Sequence, residues 1–227
     1  MQGNFNFMNI QYYGHSCFKL TTKPFGRGQN DVIIFFDPFK KELGLRPPQG
    51  SADLIMISHD HYDHDNRDAL KGDPIILDIP GEYSVKGVNV IGINSNHDEN
   101  DGKDRGKNTV FVFDSEDLRI CHLGDLGEDL NSKQLDLING VDILMIPIGG
   151  KYTIDFKKAT DIIKKIEPAI VIPMHYKMPG SKITDIDDEK KFCNEIGNCP
   201  RVKVNKLNFK KKDLEGKSME IVLMDIQ

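Results

Sequence analysis

The chain has 227 residues, 38% hydrophobic and 29% charged, which suits one α/β domain over residues 1–227 with a sizeable core. A formal net charge of −5 opposes a role in binding nucleic acid, because phosphate recognition needs a basic face. No stretch reaches the roughly 18 to 20 apolar residues of a bilayer span.

The start, MQGNFNFMNIQYYG, lacks a basic segment followed by an apolar one, so no export signal is expected and no membrane insertion. The four cysteines, Cys17, Cys121, Cys193 and Cys199, show no C-x-x-C spacing and are expected to be reduced thiols in a cytoplasmic protein.

In chain order, Met8 to Tyr13 and Ser16 to Thr22 read as a hairpin, and Val32 to Phe36 as a buried strand stopped by Asp37-Pro38. Leu54 to Ile57 is a second buried run, ending at a histidine cluster. Ile75 to Leu77, Tyr83 to Val85, Val88 to Ile93, Thr109 to Phe113 and Arg119 to His122 continue the strand pattern, with Lys86-Gly87 as a tight turn. The second half alternates. Ser132 to Asn139 reads as a helix closed by Gly140, and Asp142 to Ile146 as a strand stopped by Pro147. Phe156, Ala159, Ile162, Ile163 and Ile166 share one helical face, and Pro168 ends that helix. Ala169 to Ile172 is a strand, Asp185 to Ile196 a helix closed by Gly197, and Met219 to Met224 a last strand. The run Lys210 to Lys212 reads as solvated surface. Antiparallel strands followed by helix–strand pairs imply two sheets with helices outside.

Residues 58 to 65, SHDHYDHD, carry three of the chain's seven histidines and three carboxylates directly after a buried strand. Neutral imidazole and carboxylate are ligands that zinc, iron and manganese accept. His59 and His61 are two apart, so an extended backbone points both the same way; Asp63 and His64 follow one turn on. One cluster cannot close two coordination shells. His97, Asp125 and His175 each follow a predicted strand, where sites on α/β scaffolds are usually built. Each also reads, taken alone, as a loop, turn or buried residue, and spacing does not join them to the cluster.

SHDHYDHD resembles the H-x-H-x-D-H signature of the metallo-β-lactamase superfamily. GHSCF, DPF, PGEY, RGKN, CHLGDLG, PIGGKYTID and IPMHYK resemble one branch of it, the small single-domain hydrolases similar to ascorbate-phosphate lactonase. The resemblance covers nearly the whole chain. It implies an α/β fold, a four-layered αβ/βα sandwich with metals at the sheet edges. It further implies one ion held by His59, His61 and His97, another by Asp63, His64 and His175, and Asp125 bridging. His122 competes for a ligand role but its strand parity favours a supporting or core histidine. His15 reads as a group that supports a ligand by a hydrogen bond or as a satisfied core histidine, and Asp37 as such a support or as the turn residue that ends its strand. Tyr152, Thr153 and Lys177 are candidate substrate residues, and Arg105 with Lys107 forms a basic loop near His97.

The implied activity is hydrolysis of an ester, lactone or phosphoester bond of a small anionic molecule. A hydroxide shared by two divalent ions, zinc foremost, would attack, and Asp63 or Asp125 would orient it. Alternatives are a phosphodiesterase acting on a nucleotide or lipid head group, and a metal-binding protein without turnover. No G-x-S-x-G elbow is present. A helical C-terminal domain of the glyoxalase kind, an inserted nuclease domain or a flavin domain would not fit in this length.

Overall fold

The computed structural model describes residues 7–24 and 30–227. Residues 1–6, which open the segment read for an export signal, lie outside the described residues. Among the described residues no helix is long and apolar enough to cross a membrane.

The first sheet is built from β1 (Met8–Gly14), β2 (Cys17–Thr22), β3 (Val32–Phe36), β5 (Leu54–Met56), β7 (Ile75–Leu77) and β14 (Leu207–Phe209), in the order β14-β1-β2-β3-β5-β7. β1, β2 and β3 form an antiparallel meander, while β5 and β7 run parallel to β3. Between them β4 (Gly50–Ser51) and β6 (Leu70–Lys71) make a separate two-residue ladder. The second sheet holds β8 (Gly81–Val85), β9 (Val88–Asn96), β10 (Lys107–Ser115), β11 (Leu118–His122), β12 (Ile143–Pro147), β13 (Ile170–Met174) and β15 (Glu220–Ile221). Its order, β15-β13-β12-β11-β10-β9-β8, is antiparallel from β8 to β11 and parallel from there on.

The period of two in each strand sorts side chains between two cores. In β3, Ile34 and Phe36 face the main core between the sheets, and Phe35 faces a second core on the outer side. Phe36 meets Phe113 across the interface, with ring centroids 5.5 Å apart. β12 and β13 are buried at every position, as strands covered on both faces must be. Their outer cover is α1 (Ser132–Ile138), α2 (Phe156–Ile166) and α3 (Glu189–Ile196). α2 packs on β12 and against both other helices, burying Ala159, Ile162 and Ile163 as the helical spacing predicts. Outside the first sheet the cover is thinner: a 3₁₀ turn at Lys41–Leu43 and loop residues Phe39 and Leu45 close the second core. Two facing sheets with their outer cover match the αβ/βα sandwich expected from the motifs.

Several boundaries differ from the sequence reading, for physical reasons. β9 runs on to Asn96, and β10 starts at Lys107, because the two strands continue pairing through polar residues that carry no apolar signal. The third helix begins at Glu189. Asp188 accepts the Lys190 N–H as its cap, while 185–187 pair with other loops instead. Met219 to Met224 contributes only Glu220–Ile221 to the sheet, and Met224 bridges to Val204. Leu207–Phe209, not read as a strand, pairs with the edge of β1. The Lys86-Gly87 turn is as expected, with φ of 49° and 79°. Lys211 of the basic run pairs with Asp142 at 2.7 Å. Cys193 and Cys199 are joined in a disulfide, which corrects the reading of four reduced thiols and removes that support for a cytoplasmic location. Cys17 and Cys121 remain free and buried.

Candidate metal centre

The residues singled out in five separate segments meet at one place, where strand ends of both sheets converge. His59, His61, Asp63 and His64 lie in the loop after β5, which is held by short turns such as His64 N–H to His61 O at 2.9 Å. His97 follows β9, Asp125 follows β11, and His175 follows β13. His15 sits in the β1–β2 turn and accepts the His175 N–H on its own carbonyl at 2.8 Å, which ties the two sheets together at the site.

Two groups of donor atoms result, each with its atoms within 4.8 Å of one another. His59, His61 and His97 form one; His15, His64, Asp125 and His175 form the other. Asp125 Oδ2 lies between them. It is 3.1 Å from Nε2 of both His64 and His175, 3.4 Å from His97 Nε2 and 4.0 Å from His59 Nε2. The first trio is the one the motif resemblance implies. In the second group His15 stands where Asp63 was expected. Its Nε2 is 3.1 Å from His64 Nε2 and 3.2 Å from Asp63 Oδ2, so Asp63 borders the group through His15.

Neighbouring groups fix the rings. Asp37 accepts three hydrogen bonds, from Ser58 N–H at 2.7 Å, Ser58 O–H at 2.7 Å and His64 Nδ1 at 2.9 Å. His64 therefore presents Nε2 to Asp125. Ser58 Oγ also contacts His59 Nδ1 at 2.9 Å, leaving His59 Nε2 facing His61 Nδ1 at 2.9 Å. Asn108 Oδ1 accepts the Asp125 N–H at 2.9 Å and holds that loop. Nδ1 of His97 and of His175 find no partner among the described residues.

His122 is fully buried and belongs to neither group. Its Nε2 faces the Ser16 carbonyl at 2.9 Å and its Nδ1 accepts the Gly124 N–H at 3.1 Å. A carbonyl only accepts and an amide only donates, so the ring must be neutral with its proton on Nε2. It stacks on Phe36 at 4.8 Å, a core histidine in the position its strand parity predicts.

Burial holds several of these imidazoles neutral, the state in which they can ligate a cation. It lowers His59 well below the usual range, lowers His97, and brings His15 down to about 4. Burial also acts to lower His64, but the Asp125 and Asp37 carboxylates outweigh it and raise this histidine. For Asp125, burial works to raise its pKa while His175 and His64 hold it well below the carboxylate range. Asp63 stays ionised too, because the His15 hydrogen bond and the charge of His64 overcome its burial. The donors thus fit divalent cations in kind and in burial: imidazole nitrogens converging on carboxylate oxygen.

Two glycines permit the close packing. A Cβ at Gly127 would stand 2.3 Å from the His97 carbonyl oxygen, and one at Gly149 would stand 2.2 Å from that of His175. The strand ends could not come this near with any other residue there.

A cavity of about 660 Å³ opens on this centre, reaching His61, Asp63, His97, Asp125 and His175. Tyr152, a candidate substrate residue, lines it. Thr153 lines an adjoining hollow and donates its hydroxyl to the Ile154 carbonyl at 3.2 Å. Lys177 is exposed and lies outside the described cavity wall, and Lys107 is engaged by Asn96 at 2.7 Å. Sequence reasoning missed Tyr62 and the segment Lys182 to Asp185, which complete the wall. That segment has no periodicity and no motif; only the Pro179-Gly180 turn before it marks a reversal that folds it back over the site.

Comparison with known proteins gives the family. Residues 9–175 match the family model described as a β-lactamase superfamily domain. A UPF0173 protein of Pyrococcus abyssi is 31% identical over 190 residues, 76% of this chain and 85% of its own length. A UPF0173 metal-dependent hydrolase of Staphylothermus marinus is 30% identical, over 81% of this chain and 90% of its own. Among solved structures, a proposed Zn-dependent hydrolase of the metallo-β-lactamase superfamily from Thermotoga maritima superposes with a TM-score of 0.75 at 31% identity, covering 97% of this chain and 100% of that one. These matches span fold, length and sequence together, and the chain belongs to the UPF0173 metal-dependent hydrolases of the β-lactamase superfamily.

Proposed function

We propose that the chain works with two divalent ions, zinc foremost, to hydrolyse an ester, lactone or phosphoester bond in a small anionic molecule. His59, His61 and His97 would hold one ion. His64 and His175 would hold the other, with Asp63 and His15 both placed to complete its shell. The observation that carries this reading is Asp125, whose Oδ2 is within 3.1 to 4.0 Å of a histidine Nε2 in each group and so suits a bridge. The Zn-dependent description of the Thermotoga relative supports the choice of metal, and iron and manganese accept the same donors.

Ions bound there supply Lewis acidity and acidify a water to near neutral pH. The protein's own groups do the rest. Asp63, ionised and on the cavity wall, would orient the attacking water; its low pKa suits that role better than storing the water's proton. His59 and His64 are fixed by Ser58 and Asp37, so their donor atoms need not reorganise. Tyr62 and Tyr152 give the cavity aromatic walls for the body of a substrate.

The test is metal content by mass spectrometry on protein purified without a chelator or polyhistidine tag, beside His61→Ala and Asp125→Ala. About two ions per chain in the wild type are expected, with fewer in both variants, and loss of turnover against a panel of chromogenic esters, lactones and phosphodiesters. Full turnover in His61→Ala would overturn this mechanism.

A further inference from the structure

We propose that Arg105 and Lys182 form an anion-binding subsite on the wall of the active cavity, which seats a phosphate or carboxylate of the substrate while its scissile bond lies at the metal centre. The proposal rests on the hydrolase reading for what happens at the centre, but not for the subsite itself.

Both residues line the same cavity as His61, His97 and Asp125. Neither side chain has a carboxylate partner among the described residues. Nearby basic side chains are engaged: Lys107 with Asn96 and the Asp101 carbonyl, Lys151 with Asp185, and Lys158 with Glu99. Asp185, a carboxylate of the cavity wall, is occupied by Lys151 and by the Tyr152 hydroxyl. Two cations therefore stand without a direct ion pair on a concave wall, apart from the Asp63 and Asp125 carboxylates at its metal end, in a chain whose net charge is −5. Such an arrangement concentrates anions locally.

Arg105 is also held in place, which a merely solvated arginine is not. Asp98 accepts the backbone N–H groups of Asn100, Gly102, Asp104 and Arg105 at 2.8 to 3.1 Å and so clamps the whole β9–β10 loop. The guanidinium lies 5.6 Å from the centroid of the Tyr152 ring, and Tyr152 is itself fixed by its 2.9 Å bond to Asp185. A cation placed over the ring meets its π face and uses none of its own N–H donors in a hydrogen bond. Those donors match two oxygens of a phosphate or carboxylate at once. Lys182 adds an exposed, adjustable charge. A cavity of about 660 Å³ suits a small molecule bearing such a group.

The experiment is isothermal titration calorimetry with two ligands that cannot be hydrolysed, phenylphosphonate and benzoate. They are titrated into metal-loaded wild type, Arg105→Ala, Arg105→Lys, Lys182→Ala and His61→Ala, with thermal melts confirming that each variant is folded. The expected result is that one or both ligands bind the wild type. Arg105→Ala should weaken that binding roughly 10- to 100-fold, in line with charge-assisted hydrogen bonds. Arg105→Lys should recover only part of it, because the planar fork is lost. The ligand that suffers the greater Arg105-dependent loss names the anion. Wild-type affinity in Arg105→Ala overturns the subsite, whether binding disappears in His61→Ala (the anion then sits on the metals) or not. No binding of either ligand to the wild type overturns it too. Arg105-dependent binding by a protein that holds no metal would keep the subsite and sink the hydrolase reading instead.

Discussion

His64 donates through Nδ1 to Asp37 and thereby aims Nε2 at Asp125. That choice of ring nitrogen is made by a residue the sequence shows only as the end of a strand, in DPF. Asp37, His15 and His175 all have positive φ, of 42°, 57° and 49°, which costs free energy for residues with a Cβ and recurs where geometry is set by function. Asp37→Asn keeps the shape but has one acceptor oxygen where Asp37 uses two. It should lower metal affinity about 10- to 100-fold with little loss of fold; competition against a fluorescent chelator measures this, and unchanged affinity would show that Asp37 does not support the ligand. Residue types were legible in the sequence here. The seven candidate ligands lie together within one site, but the place of His15 among the donors was not readable, because it depends on which way a hairpin turn closes.

Strand ends, more than strands, build the site. β9, β11 and β13 each deliver one donor just beyond their last paired residues, and the buried strand β5 delivers four residues in one loop. The hairpin turn at Lys86-Gly87 makes a second link between the sheets. Lys86 pairs with Asp53, which also accepts the Ile33 N–H at 2.8 Å at the start of β3. Partial burial acts to raise the Asp53 pKa, but the Lys86 bond and that backbone bond win and lower it. A carboxylate with a depressed folded pKa stabilises the protein above the unfolded value of about 3.9 and loses that contribution as pH falls through the folded value. Asp53→Asn should therefore reduce the urea midpoint modestly above about pH 5, with the gap to wild type narrowing as pH falls below about 4. A gap independent of pH would mean the pair contributes nothing electrostatic. The strands themselves were readable because burial enforces alternation, whereas the polar extensions of β9 and β10 were not, since backbone pairing leaves no mark on composition.

For the whole molecule, the proposed centre is a clamp between two sheets. His15 and the 59–64 loop come from the first sheet, and His97, Asp125 and His175 from the second. Ions bound there stabilise the folded chain alone, by about 2.7 kcal/mol per site at a hundredfold excess over Kd. For a chain of this size, removing one such contribution corresponds to a melting temperature lower by roughly 5 to 10 °C. A chelator should produce that shift in the wild type, re-addition of metal should reverse it, and His61→Ala should respond less. A wild-type melt indifferent to chelator would argue against occupied sites. The sequence by itself determined most of the strands and the candidate donor types, because hydrophobic alternation and residue chemistry are local properties, and its motifs carried the resemblance that named the fold family. Only the tertiary structure decided how the donors divide into two groups around Asp125, that His122 is a core residue with both nitrogens engaged, that Cys193 and Cys199 are bonded, and that Arg105 and Lys182 share the cavity wall. Each of those depends on segments far apart in the chain being held within hydrogen-bonding distance, and that is fixed by the packing of two sheets and by glycines at their closest approach, not by any single stretch of residues.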